Sequence, residues 1–205
     1  MGIKDYFSGS EIERARFIFD FIAPVYNFFD SSLVVHYKKI ALELNANISL
    51  SELSILDVGT GTGSWLDALG SFSNKHSTGV DLSDKMLKIA KNRHSQYNFI
   101  NSDATTLNNI ADKSYDIVTA SFVMHGFKQQ KRADILTQLK RISRKYVIIN
   151  DFYGKTNASV AFLEFLERSD YKNFKLNFNN EMNEFFNKTE IMPSNSGSAL
   201  YIGTI

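Results

Sequence analysis

The chain has 205 residues, of which 43% are hydrophobic, and this predicts one globular domain over residues 1–205 that buries roughly 70% of its unfolded surface. A net charge of +1 gives no electrostatic footprint for a nucleic-acid partner, and the absence of cysteine excludes disulfides and cysteine nucleophiles. No stretch approaches the ~20 apolar residues of a membrane span, and the first residues show no apolar leader, so we expect a cytoplasmic protein.

The first part of the chain is predicted to be helical. Residues 10–47 show helical spacing, with Ser10 as an N-cap and a break at Pro24. We expect these helices to form an N-terminal cap over residues 1–50. The cap would precede an α/β core over residues 51–205.

The next segment is a predicted strand that ends in a glycine-rich turn. Residues 55–63 contain glycines at alternate positions, namely Gly59, Gly61 and Gly63. Glycine is needed where a Cβ would block a close approach or forbid the backbone dihedrals. Ser64 stands where the dinucleotide fingerprint requires a third glycine, and the turn lacks the lysine of a phosphate-binding loop. The turn therefore predicts a ligand with little or no phosphate, and Asp57 at the strand end would attract an ammonium group.

Acidic residues follow the next two predicted strands. Residues 76–81 end in Asp81, which is placed to accept hydrogen bonds from both hydroxyls of a ribose. Residues 97–101 are followed by Asp103, which could accept a hydrogen bond from an adenine amino group. The carboxyl ends of neighbouring strands form the ligand-binding edge of an open α/β sheet. These acids are therefore expected at the same edge as the glycine turn.

The remaining elements continue the alternation of strands and helices that is typical of a parallel sheet covered on both faces. A fourth strand over residues 115–120 leads into a polar and aromatic segment over 121–127. The basic run over residues 131–145 is predicted to be the solvated face of an amphipathic helix. The later predictions are a fifth strand over 146–150, helices over 158–168 and 171–187, and a closing hairpin over 190–193 and 200–203.

Together these motifs resemble the class I S-adenosylmethionine-dependent methyltransferases, of the broad type 11 kind. The resemblance covers about residues 53–127 and rests on residues 56–63, 80–87, 103–104 and 115–118. It implies a Rossmann-like fold with a seven-stranded, mostly parallel sheet, helices on both faces and an antiparallel last strand. It also implies S-adenosyl-L-methionine as the cofactor.

The resemblance assigns roles around this cofactor. The glycine turn would pack under the methionine part, Asp81 would bind the ribose, and Asp103 would meet the adenine amino group. Other residues would flank the adenine ring or lie beside the sulfonium. The implied cofactor-binding residues are Asp57, Gly59, Thr60, Gly61, Gly63, Asp81, Leu82, Met86, Asp103, Ala104, Ser121 and Phe122.

A fainter resemblance links residues 19–27 to the opening segment of methyltransferases of ubiquinone and menaquinone biosynthesis. It implies that Tyr26 is a lid residue that contacts the substrate. Asn27 replaces the usual aspartate, and residues 124–126 replace an arginine-containing stretch. Both departures weigh against a quinone precursor as the substrate.

The expected activity is in-line transfer of a methyl group to a small-molecule acceptor by a monomer or homodimer. His125 follows the fourth strand and is the candidate general base and a substrate contact, since imidazole titrates near about 6.5. The scattered histidines show no paired spacing, so no metal site is expected. Alternatives are a methyltransferase of RNA or protein, a non-catalytic protein that binds the cofactor, and, more distantly, a nicotinamide dehydrogenase.

Overall fold

A computed structural model describes residues 33–154, 169–194 and 197–205 of the protein. The helices in these ranges are α1 (residues 33–47), α2 (Ser64–Gly70), α3 (Asp84–Arg93), α4 (Gln129–Ile142) and α5 (Tyr171–Phe185), with a 3-10 turn over Met124–Gly126. The strands are β1 (Ile55–Val58), β2 (Ser77–Asp81), β3 (Asn98–Asn101), β4 (Tyr115–Ser121), β5 (Ser143–Phe152), β6 (Lys188–Pro193) and β7 (Ser198–Thr204). Tyr26, most of the predicted cap and the predicted helix over 158–168 lie outside the described residues.

These strands form one seven-stranded sheet in the order β3-β2-β1-β4-β5-β7-β6. The first five strands of this order run parallel, while β7 is antiparallel to both β5 and β6. The direction of strand succession reverses between β1 and β4, so the crevice at their carboxyl ends is the expected ligand site. The predicted Rossmann-like fold, with an antiparallel last strand, is confirmed.

Side chains that alternate along the central strands supply a core on each face of the sheet. Leu56 and Val58 of β1 join the apolar cluster that includes Phe174 of α5, whereas Ile55 joins the cluster on the side of α1 and α2. Helix α1 buries side chains at helical spacing in this second cluster, namely Tyr37, Ile40, Ala41 and Leu44. Helix α1 is thereby fixed beside the carboxyl ends of β1 and β4.

The structure corrects the interpretation of the basic run. Helix α4 ends at Ile142, and the residues after it begin β5, which is longer than predicted. Arg132 is fully buried rather than solvated. Its guanidinium donates to both carboxylate oxygens of Glu181 at 2.7 and 2.6 Å, to Asp170 at 2.9 Å, and to the Phe127 carbonyl. A buried cation is stable only when it is paired in this way, and the pairing joins α4 to α5.

Glu181→Gln should lower the free energy of unfolding by about 3 kcal/mol, because the buried charge of Arg132 would then face a neutral amide. This value is at the low end of the roughly 3–5 kcal/mol that breaking a buried ion pair costs, because Asp170 still accepts a hydrogen bond from Arg132. Urea denaturation measures it. Asp134→Asn, which neutralises an exposed ion pair on the same helix, is the control and should cost less than about 1 kcal/mol. Equal losses in the two variants would contradict the structural role of Arg132.

Candidate functional site at the carboxyl edge of the sheet

The glycine turn joins β1 to α2 and is held against β2, because the N–H groups of Gly59 and Thr60 donate to the Val80 carbonyl at 2.7 and 2.9 Å. All three glycines have positive φ, from 54° to 84°. They differ in surroundings: a Cβ on Gly59 would lie 2.5 Å from Val123, whereas a Cβ on Gly61 would have no atom of the residues described here, beyond its chain neighbours, within 4 Å. Gly59 therefore serves close packing within the protein, and Gly61 borders open space.

Asp57 lies behind this turn and is fully buried. Among the described residues, neither of its carboxylate oxygens has a hydrogen-bond partner, and the Thr60 hydroxyl also lacks one. Burial raises the pKa of the Asp57 carboxyl to about 7; the nearby Thr60 hydroxyl lowers it, and the charge of Asp81 raises it further. An unpartnered buried carboxylate is costly, and a cationic group bound next to it would remove that cost. The ammonium end of an amino-acid ligand fits this environment.

Asp81 lies at the end of β2, directly beside the turn. Its Oδ2 accepts from the Gly61 N–H at 2.8 Å and its Oδ1 accepts from the Ser83 N–H at 2.8 Å. The side chain is half-buried, and each carboxylate oxygen has more than one lone pair. Asp81 can therefore hold the turn and still accept hydrogen bonds from a ligand hydroxyl.

The residues assigned to the adenine ring come after β2 and after β3 in the chain. These two strands pair in parallel, and Asp81 of β2 lies opposite Asn101 of β3. Met86 is buried on α3, while Leu82 and Ala104 are half-buried. Asp103 accepts from the N–H and the hydroxyl of Thr105 through Oδ1, at 2.7 and 2.8 Å. The sheet register thus brings the two acids and the apolar residues to neighbouring strand ends, as expected.

Ser121 belongs to a row of polar side chains on the α1 side of the sheet. Its hydroxyl accepts from the Asn150 amide and donates to the Tyr37 hydroxyl, each at 3.0 Å. Asn150 is fully buried, and its Oδ1 atom has no hydrogen-bond partner in the described part of the chain. Sequence reasoning missed Tyr37 and Asn150; the signal for Asn150 was its position at the end of a predicted strand.

Phe122, next to this row, has a left-handed backbone conformation with φ of 52°. Its N–H donates to the Asn150 carbonyl at 2.8 Å, which holds the strained residue in place. Such strain in a residue other than glycine is concentrated at functional sites. Its ring lies 5.0 Å from the Phe152 ring and 6.4 Å from the His125 ring, measured between centroids.

His125 lies in the 3-10 turn after β4 and is nearly buried. Its Nδ1 atom is 2.7 Å from Oδ1 of Asp151, which is fully buried at the end of β5. Asp151 was not among the predicted site residues. The available signal was again an acid directly after a predicted strand, as with Asp57 and Asp81.

Some classes of site are absent from the described part of the chain. Its histidines and carboxylates include no group of three or more that could hold a metal ion. None of its helices combines the length and the apolar character that a membrane span requires.

Known proteins resemble the chain in sequence around this site and in fold. Residues 55–145 match the family model described as a methyltransferase domain. Demethylmenaquinone methyltransferases are 31% identical over 119 residues in Chlorobaculum tepidum and 30% identical over 142 residues in Thermotoga maritima. The matches span 55% and 67% of this chain, but only 49% and 60% of those relatives. The chain thus spans about half the length of the curated relatives it matches.

A solved structure extends the likeness of fold to nearly the whole chain. Magnesium protoporphyrin IX methyltransferase from Synechocystis PCC 6803, with bound SAH, has a TM-score of 0.66 and 18% identity. The match covers 98% of this chain and 97% of that one. The chain is thus similar to class I methyltransferases in sequence over residues 55–145 and in fold over nearly its whole length.

Gly59→Ala should lower the free energy of unfolding by about 3 kcal/mol, because the new Cβ meets Val123 and the backbone has positive φ. Gly61→Ala is the matched control. It should lower the free energy of unfolding by only about 1–2 kcal/mol, because its new Cβ is disfavoured by the positive φ but does not clash with a neighbour. Thermal and urea unfolding give both values. Val123→Ala added to Gly59→Ala should restore part of the loss, and a cost for Gly61→Ala as large as for Gly59→Ala would refute the distinction.

The raised pKa of Asp57 predicts a pH-dependent stability. Between its ordinary value of 3.8 and about 7, Asp57 holds its proton in the folded chain but not in the unfolded chain. Its contribution to the free energy of unfolding should therefore fall as pH rises through this window, by an amount on the order of a few kcal/mol. Asp57→Asn, which stays neutral, should be as stable as the unmodified protein near pH 4 and more stable at pH 8. Parallel urea curves at both pH values test this, and an unchanged difference between the two proteins would contradict it.

Proposed function

We propose that this protein is an S-adenosylmethionine-dependent methyltransferase that methylates a small-molecule acceptor. The observation that carries the proposal is the buried, unpartnered carboxylate of Asp57 behind the open backbone of Gly61. A cofactor with an ammonium group, a ribose and no phosphate suits this arrangement. The match of residues 55–145 to a methyltransferase-domain model supports the same cofactor.

In the proposed binding mode, the carboxyl ends of β1, β2 and β3 contact successive parts of the cofactor. Asp57 would face the ammonium group of the methionine part, and Gly61 would allow the backbone to approach it closely. Asp81 would accept from the ribose hydroxyls, and Asp103 would accept from the adenine amino group. The adenine ring would lie against the apolar side chains that follow β2 and β3, namely Leu82, Met86 and Ala104.

The chemistry requires orientation above all. S-adenosylmethionine supplies a methyl group that is already activated by its bond to a sulfonium sulfur. The protein must hold the acceptor atom in line with that bond, and good orientation can contribute roughly 7–11 kcal/mol to lowering the barrier. Ser121 and Phe122, at the end of β4, would lie beside the reacting centre. The strained backbone of Phe122 suits a position that must be held rigidly.

The aromatic side chains at this edge support a flat, largely apolar acceptor. Phe152 lies 5.0 Å from both Phe122 and Tyr171 and 4.8 Å from His125, in edge-to-face arrangements. Such rings favour an aromatic ligand through further ring contacts. The relatives named above are also methyltransferases of menaquinone and porphyrin compounds, which agrees with a small-molecule acceptor. His125 is the proposed general base where the acceptor must lose a proton.

Isothermal titration calorimetry tests the cofactor assignment directly. S-adenosylmethionine and S-adenosylhomocysteine should bind with micromolar affinity, and NAD should give no heat of binding. Asp81→Ala should weaken S-adenosylmethionine binding by about 1–3 kcal/mol, through loss of charge-assisted hydrogen bonds. Asp112→Ala removes an exposed carboxylate that pairs with Arg141 and should leave affinity unchanged.

The outcomes of this titration separate the alternatives. Binding of neither sulfur compound would refute the proposal, and unchanged affinity in Asp81→Ala would refute the ribose assignment. Formation of S-adenosylhomocysteine from a panel of phenols, amines and quinols would establish catalysis on small molecules. Tight binding with no turnover on that panel would instead favour a larger acceptor or a non-catalytic binding protein.

A further inference from the structure

The carboxylate of Asp151 gathers four hydrogen-bond donors from the chain segment that follows β4 and from β5 itself. Its Oδ2 accepts from the N–H groups of Met124 and His125 at 3.0 and 3.2 Å. Its Oδ1 accepts from the Phe152 N–H at 2.8 Å and lies 2.7 Å from Nδ1 of His125. The side chain is fully buried, so it meets these groups without competition from water.

This arrangement decides where the proton between Asp151 and His125 resides. Three backbone N–H groups, which can only donate, already point at the oxygens of this one carboxylate. An ionised carboxylate can only accept hydrogen bonds, so Nδ1 of His125 must carry the proton. In a neutral imidazole the lone pair then belongs to Nε2.

The imidazole ring is also fixed in orientation. Ring centroids of Phe152, Phe122 and Phe174 lie 4.8, 6.4 and 6.4 Å from that of His125, all in edge-to-face contact. Rotation of the ring would break both the Asp151 hydrogen bond and this packing. Asp151 and the three rings therefore hold the imidazole ring in one orientation, at the same edge of the sheet as Phe122.

We propose that Asp151 is the positioning residue that keeps the Nδ1 proton of His125 in place and so makes Nε2 the proton acceptor in methyl transfer. This inference rests on the proposed function. As the acceptor atom bonds to the methyl carbon, the carbon–sulfur bond breaks and its electron pair stays on sulfur. The proton of the acceptor passes to Nε2, and the resulting imidazolium is balanced by the charge of Asp151.

Kinetics of Asp151→Asn test this role. With the most active acceptor of the panel, we expect kcat to fall by about 100-fold or more, while the KM for S-adenosylmethionine stays within about 3-fold. Asp116→Asn is the matched control, because Asp116 is also a buried carboxylate that accepts several hydrogen bonds, but at the amino ends of the strands. Its kcat should remain near that of the unmodified protein. Equal losses of kcat in the two variants would overturn the proposal.

A second pair of variants guards against misfolding of Asp151→Asn. His125→Gln leaves the Asp151 carboxylate and its backbone hydrogen bonds in place, and should lose kcat to a similar extent. The double variant should be no slower than either single variant, because the two residues act as one unit. Additive losses would overturn the proposal, and circular dichroism checks that each variant is folded.

The tautomer can be observed without any acceptor. Long-range ¹H–¹⁵N spectra of the histidine side chains, with His125 assigned by its loss in His125→Gln, should show a protonated Nδ1 and an unprotonated Nε2. A protonated Nε2 in the neutral ring would overturn the inference while leaving the cofactor assignment intact. Failure to bind S-adenosylmethionine would instead refute the proposed function. Binding without turnover on the whole panel would overturn both this role and the methylation of a small-molecule acceptor, and would favour a larger acceptor or a non-catalytic binding protein.

Discussion

The site depends on one buried ionisable group, the carboxyl of Asp57 at the carboxyl end of β1, whose oxygens have no hydrogen-bond partner among the residues that the structure describes. The parallel sheet places it there, since β1 lies at the point where the strand order reverses. The glycine turn closes over it and is anchored to β2 through the Val80 carbonyl. The fold thus maintains a local cost that a bound cationic group would relieve.

The ends of β4 and β5 divide the remaining polar groups between the two faces of the sheet. Neighbouring residues of a strand point in opposite directions, so Asn150 and Asp151 at the end of β5 serve different sides. Asn150 joins Ser121 and Tyr37 on the side of α1. Asp151 joins His125 on the side of α5. One strand end therefore supports both a buried polar row and a histidine–aspartate pair.

The sequence was informative wherever function depends on residues close together in the chain. The glycine spacing, Asp57 and Asp81 could be recognised because a strand, a turn and a helix start follow one another directly. The alternation of strands and helices predicted a parallel sheet, whereas the seven strands and the antiparallel last strand were expected from the family resemblance. Tyr37, Asp151 and the buried state of Arg132 depend on partners 26 to 84 residues away. Local sequence patterns do not show which distant residues will be in contact. Arg132 was therefore interpreted as a solvated position of a basic helix.

The central claim is that Asp57 receives the ammonium group of S-adenosylmethionine, and proton-linked calorimetry tests it most directly. At pH 6 the Asp57 carboxyl, with its pKa of about 7, is mostly protonated and must lose its proton to face a cation. Titrations in buffers of different ionisation enthalpy should therefore show release of about one proton per ligand bound. Asp57→Asn should show none. Binding that releases no proton from the unmodified protein would contradict the account.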